Sequence, residues 1–173
     1  MLIAGHPVLH QVAKPVESVS DWHLQQLIEV LLSTVRAAHG VGIAAPQVGC
    51  SLRVLVVASR PNRRYPHAPL MDPVVMLNPH LMAASEELEW GWEGCLSVPG
   101  VRGRVLRHRS IQVDYIDRNG HPQHQEWEGF VARIFQHEAD HLDGRVFVDR
   151  VQSETDLIPE QAYQAMKISA LNE

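Results

Sequence analysis

Apolar residues recur at helical spacing in two stretches of the chain. Leu24, Leu27, Ile28, Leu31, Leu32 and Val35 form one stripe, with Ser20 or Asp21 placed to cap it, which predicts an amphipathic helix running to about Ala38. In the second stretch Phe130, Ile134, His137 and His141 fall within a narrow arc at ~100° per residue. Gly129 precedes that helix and Gly144 follows it as a C-cap. Elsewhere the pattern shortens to strands. Leu52 to Val57 reads as a strand, and Val74 to Leu77 as a buried one ended by Asn78-Pro79. Leu81 to Trp90 is expected to be a strand bent around Ser85. Ile111 to Tyr115 alternates apolar and polar residues, Asn119-Gly120 supplies a hairpin turn, and Gln123 to Trp127 the return strand. Val146 to Val148 is predicted as a short strand. Pro7 and Pro15 keep the first twenty residues irregular, and Pro61, Pro66 and Pro69 mark residues 59–72 as a surface loop. The tail from Gln152 is polar, with one helix expected after Pro159.

Composition narrows this to an ordinary globular protein. A chain of 173 residues with 45% hydrophobic and 20% charged residues is expected to form one domain around a real core. The net charge of −5 gives no nucleic-acid footprint, and Arg60, Arg63 and Arg64 read as a solvated loop. No apolar run approaches the ~20 residues of a membrane span. The first ten residues lack the pattern of a signal peptide, so the cytoplasm is the expected location. In that reducing compartment Cys50 and Cys95 are free thiols or ligands rather than a disulfide.

The candidate chemistry starts at His137-Glu138-Ala139-Asp140-His141. Two histidines four apart on a helix share one face, so both imidazoles reach one metal ion with Glu138 beside it. A chance match is the bland alternative, and a third ligand is needed to dismiss it. Cys95 supplies a candidate: it sits in a Gly-flanked loop, Gly91 to Gly100, among polar neighbours, and a thiolate suits zinc or ferrous iron. Cys50, beside Gly49, reads as structural. Gly40 to Gly49 partly matches a dinucleotide fingerprint, but that motif needs a strand before it and a helix after it, and here the order is reversed. The segment reads instead as a tight turn or as a small-residue wall lining a cleft. Gln47 is its only long polar side chain, with an amide N–H able to donate to a developing oxyanion.

Taken together, Gly40-x-Gly42-x-Ala44-Ala45-x-Gln47, Glu93-Gly94-Cys95-Leu96-Ser97 and His137-Glu138-x-Asp140-His141 resemble peptide deformylase in identity, order and spacing. The resemblance covers roughly residues 5 to 150. It implies an α+β fold, with a central metal-binding helix among small, mostly antiparallel sheets and an N-terminal amphipathic helix. It implies removal of the formyl group from the N-terminal methionine of new polypeptides, with release of formate. By matching position His137, His141 and Cys95 are the implied metal ligands and Glu138 the general base and acid. Gln47 and the Leu96 N–H are the implied oxyanion donors. Contacts to the peptide are expected from Gly42, Val41, Gly94, Arg102, Phe130 and Ile134. One divalent ion per chain is implied, natively ferrous iron, with zinc, nickel or cobalt able to occupy the site. The implied partners are N-formylmethionyl peptides, with no membrane and no direct nucleic acid.

Residues 1–150 are read as the catalytic domain and 151–173 as a partly helical tail. Many bacterial members end in a basic helix that touches the ribosome; Glu154, Asp156, Glu160 and Glu173 against Lys167 speak against that route here. Ala139 stands where a larger apolar residue is common, and Gly91-Trp92 would alter the methionine pocket if it borders it. Asp140 either receives an N–H from a ligand histidine or pairs with Arg133 or Arg145, and Glu93 could pair with Arg102 to brace the Cys95 loop, a point the sequence alone leaves open. Two other readings share some of the motifs. A zinc endopeptidase would need a third ligand downstream, where no suitable histidine lies. A non-enzymatic peptide-binding module would not need Glu138 and Gln47.

Overall fold

The computed structural model describes residues 1–170. The first predicted helix forms over Trp22–Ala37 (α1), with the Asp21 carboxylate accepting the His23 N–H at 2.9 Å as its cap. Its stripe of Leu24, Ile28, Leu31 and Val35 is buried. The strand it packs on, Val54–Val57 (β2), is buried at every position because it has an apolar layer on each face. Val54 and Val56 point into the α1 core, while Leu55 and Val57 point into a second core on the other side. That alternation is the period-two geometry of a strand.

Beside β2 lie Gly42–Ala44 (β1) and Val74–Ala84 (β3), followed by the predicted hairpin Ser110–Ile116 (β6) and Pro122–Glu128 (β7). These five strands form one antiparallel sheet in the order β1-β2-β3-β6-β7. The second predicted helix, Gly129–Leu142 (α2), lies across this sheet and buries Ala132, Ile134, Phe135 and Leu142 against Leu55, Met76, Ile111 and Val113. Ala132 apart, each fully buried side chain of this size contributes about 1.5–3 kcal/mol. The far side of α2 meets a smaller antiparallel sheet made of Leu88–Cys95 (β4), Val98–His108 (β5) and Leu157–Pro159 (β8), in the order β4-β5-β8. A third helix, Glu160–Ala170 (α3), forms where one is expected after Pro159. The α+β architecture is therefore as the resemblance implies, with α2 between two sheets. Among the described residues no helix is long and apolar enough to cross a membrane.

Four local expectations are corrected. β3 does not stop at Asn78-Pro79. The register shifts between Leu77 and His80, and Asn78 takes φ 49° there while its side chain holds both the N–H and the carbonyl of Val16. A proline without an N–H is tolerated at such a bulge. Leu81 to Trp90 is not one bent strand: it divides at Ser85 into β3 and β4, which belong to different sheets. Ser85 Oγ makes the break by accepting the Ser110 N–H and donating to the Glu87 carbonyl. Gly91 to Gly100 is not a loop but a hairpin, in which Cys95 pairs with Val98 across Leu96-Ser97. Val146 to Val148 makes no strand. The chain turns there as a 3-10 helix over Phe147–Arg150, with Asp149 accepting the Val146 N–H.

The contact between α2 and the small sheet is ionic rather than apolar. Arg107 on β5 donates to Asp140 at 2.6 Å, and Arg150 donates to both oxygens of the same carboxylate. Asp140 thus takes neither a histidine N–H nor Arg133 or Arg145, the partners expected from the sequence. Burial alone would raise its pKa; the hydrogen bonds and charges of Arg150 and Arg107 outweigh that and hold it below the ordinary carboxylate value. A carboxyl with a lowered folded pKa adds stability above its unfolded pKa of ~3.9, and that stability is lost as pH falls further. Thermal unfolding between pH 3 and 6 should therefore show the stability of the natural chain falling below about pH 4, and the fall should be shallower in Asp140→Asn. An identical pH profile in the variant would remove Asp140 from this account.

Candidate metal centre and adjoining pocket

His137 and His141 project from one face of α2 toward the β4–β5 turn, where Cys95 ends β4. The Cys95 Sγ lies 3.2 Å from His141 Nε2. One donor atom from each of Cys95, His137 and His141 falls within 4.8 Å of the others, close enough to share one ion. His137 is oriented from behind by Glu93, whose carboxylate accepts from Nδ1 at 2.8 Å and leaves Nε2 to face the thiol. Its ring stacks on Phe147, with centroids 6.1 Å apart, which is the packing role of the segment first read as a strand.

Electrostatics favour a thiolate at Cys95. Burial disfavours a Cys95 thiolate, but the hydrogen bonds and positive fields of His137 and His141 outweigh it and hold the thiol well below its ordinary value. The Gln47 amide Nε2 at 3.4 Å and the Ser97 backbone N–H at 3.4 Å also donate to Sγ. Gln47 cannot be turned over, because its Oε1 accepts the Ala44 N–H at 2.9 Å.

Glu138 differs from every other buried acid near it. Its Oε2 is buried without a hydrogen-bond partner, as is His141 Nδ1. Burial pushes the Glu138 carboxyl up to about 7, against the lowering charges of His137 and His141. A cation among the three donors would pull it down again. Gly42 makes room for this carboxylate: a Cβ there would lie 2.5 Å from Glu138 Oε1. Two soft or borderline nitrogens, one thiolate and an unpaired carboxylate form a set that fits a divalent ion of the zinc or ferrous type.

A cavity opens over these groups. Val41, Gly42, Gln47, Gly94, Cys95, Leu96, Phe130, Ile134, His137 and Glu138 all line it, so nearly every residue singled out in the sequence meets there. His141 lies beneath, fully buried. Arg102 does not join them; its side chain is spent on Glu160 and Tyr65. Nor does Arg102 pair with Glu93. In the β4–β5 register Glu93 faces Gly103, so its side chain shares a face with Arg107, four residues on, and not with Arg102. Arg107 donates to both Glu93 oxygens at 2.9 Å, and Arg133 donates at 3.0 Å. Trp92, named from the sequence as a residue that could border the pocket, lines it; Arg133, Tyr65 and Arg64 line it too and were missed. A lone arginine inside the apolar run Phe130 to Phe135 was the one available signal; Tyr65 in its proline-rich loop carried none. Cys50 packs partly buried against the α1 core, away from this centre.

Three comparisons with known proteins bear on this site. The profile of the polypeptide deformylase family matches residues 1–156. Peptide deformylase 2 of Nostoc sp. is 56% identical over 162 residues, covering 94% of this chain and 90% of the relative. Peptide deformylase 2 of Shewanella oneidensis is 46% identical over 165 residues, covering 95% and 88%. Among solved structures, the class I type b peptide deformylase of Acinetobacter baumannii with Met-Ala-Ser bound superposes with a TM-score of 0.85 at 46% identity, over 87% of this chain and 96% of that one.

The Glu93 geometry yields a test. Partners that orient a ligand histidine typically tune metal affinity by about 10–100-fold. Glu93→Gln should weaken metal retention by that order in a chelator competition. It should also destabilise the fold by roughly 3–5 kcal/mol, since two arginines lose their charge partner. Unchanged metal affinity would mean that His137 needs no support from β4.

Proposed function

The chain belongs to the peptide deformylase family, metal-dependent enzymes that remove the N-formyl group from nascent polypeptides, and on that premise we propose which of its residues carry the reaction. Cys95, His137 and His141 hold the metal. Glu138 is the general base and acid. Gln47 and the Leu96 N–H receive the oxyanion. The observation that carries this reading is the unpaired, buried Glu138 carboxylate beside three converging donors.

Bound by Cys95, His137 and His141, a divalent ion would supply Lewis-acid polarisation of the formyl carbonyl and a lowered water pKa. Glu138, held off the metal because it follows His137 by one helical step, takes a proton from the attacking water and returns it to the leaving nitrogen. Its freedom from ion pairing suits this, since a carboxylate locked to an arginine would be too weak a base. The Gln47 Nε2 already aims at Cys95, and the Leu96 N–H comes directly after it in the turn. Losing one such donor typically costs ~100- to 1,000-fold in rate. Val41, Phe130, Ile134 and Trp92 give the cavity an apolar wall for the methionine side chain. The Acinetobacter baumannii relative was solved with Met-Ala-Ser bound, which supports a peptide as the ligand of this chain. Ferrous iron is the proposed native metal and the cytoplasm, where nascent chains and free thiols coexist, the proposed location.

Glu138→Gln should leave a folded protein with its metal and lower formate release from formyl-Met peptides by about 100- to 10,000-fold. Cys95→Ala should instead lose metal, as measured by elemental analysis after dialysis. A Glu138→Gln protein without metal, or a fully loaded and active Cys95→Ala protein, would overturn these roles.

The choice of iron is tested separately. Iron-loaded enzyme should lose activity in air and keep it under nitrogen, because thiolate and ferrous ion both oxidise. Equal decay in both atmospheres would count against iron.

A further inference from the structure

Arg102 lies on the β5 face turned away from Glu93, and there it is 1% exposed. A buried guanidinium must find acceptors for its N–H groups. The Glu160 carboxylate at the start of α3 accepts two of them, from Nε and, at 3.2 Å, from Nη2. The Tyr65 hydroxyl accepts a third, from Nη1 at 2.8 Å. The Tyr163 ring of α3 lies 4.9 Å from the guanidinium and packs on Trp92. On the side toward the metal centre stands Gly94, where a Cβ would lie 2.8 Å from the guanidinium carbon. The glycine before Cys95 is what admits the Arg102 head group.

Tyr65 belongs to the loop 59–72, much of whose hydrogen bonding is local. Asn62 Oδ1 accepts the N–H groups of Arg64 and Tyr65, and Ser59 Oγ donates to the Pro69 carbonyl. The Tyr65 side chain connects this loop to the body of the protein, and its ring packs on Phe130 with centroids 5.0 Å apart. Both rings line the cavity. The tail grips the same loop again through Lys167, whose Nζ donates to the Arg64 carbonyl at 3.1 Å.

We propose that the C-terminal segment is a latch on the peptide pocket: Glu160, acting through Arg102, holds Tyr65 against Phe130 and so builds one pocket wall before the peptide arrives. Glu160 and Arg102 are positioning residues, one step removed from the reacting atoms. The proposal rests on the reading of this cavity as the peptide site. A preformed wall spares the peptide the cost of ordering the loop, so releasing the latch should weaken binding and leave the chemical step alone.

The test is steady-state deformylation of a formyl-Met tripeptide by metal-loaded, full-length protein. Glu160→Gln and Tyr65→Phe should each raise KM by about three- to tenfold with kcat changed less than about twofold. The double variant should be no worse than the poorer single one, because both cut the same linkage. Glu160→Asp, which keeps the charge, should recover part of the effect. An unchanged KM in Glu160→Gln overturns the latch, as does an equal loss in kcat or full additivity. A lower melting temperature with KM unchanged would likewise show that the tail only stabilises the fold. Failure of the parent protein to release formate from the peptide would instead sink the functional reading beneath it.

Discussion

The carboxylate of Glu93 is 4% exposed, and its oxygens accept from Arg107 Nε and Nη2, from Arg133 Nη1 and from His137 Nδ1. Burial would otherwise push its pKa up; the hydrogen bonds of His137 and Arg107 hold it well below the usual carboxylate range. A buried charge is expensive unless its neighbours answer every lone pair, and strongly destabilising once one partner is removed. That constraint fixes how α2 sits against the β4–β5 hairpin. It also fixes the His137 tautomer, because Nδ1 must carry the proton donated to Glu93 and Nε2 is then the nitrogen turned toward Cys95 and the candidate metal site. The geometry of the candidate metal centre and the attachment of helix to sheet are thus one interaction.

Strand periodicity distributes the rest of the charge. β5 carries two buried arginines five residues apart, Arg102 and Arg107, which lie on opposite faces because five is odd. Arg107 serves the face toward α2, where it bridges Glu93 and Asp140. Arg102 serves the other face, where it ties Tyr65 of the pocket rim to Glu160 of the tail. One strand therefore supports the metal centre with one arginine and the pocket wall with another.

Three buried carboxylates near the site fall into two environments. Glu93 and Asp140 are saturated by arginines and stay ionised as structural anions. Glu138 has no such partner, lies against Gly42 and is raised to about 7. Pairing removes basicity and its absence preserves it, so the residue left unpaired is the one suited to moving a proton.

Much of this was legible in the chain itself. The 3.6-residue periodicity set α1 and α2, and alternation with Asn119-Gly120 set the β6–β7 hairpin, since those signals are local. The three motifs brought Cys95, His137, His141, Glu138 and Gln47 into one site because their side chains carry the chemistry wherever they meet. The β4–β5 hairpin was hidden by glycines, tryptophans and charged residues that blur strand alternation, and the choice between Arg102 and Arg107 as partner of Glu93 was not legible because pairing register does not appear in a one-dimensional string. Tyr65 gave no sign of its place on the pocket rim. Sequence determined which helices and which reactive groups exist, through spacing within a few turns of backbone. Tertiary structure alone decided which carboxylate meets which arginine, because a strand's partners lie across the sheet, and a shift of one residue sends every side chain to the opposite face.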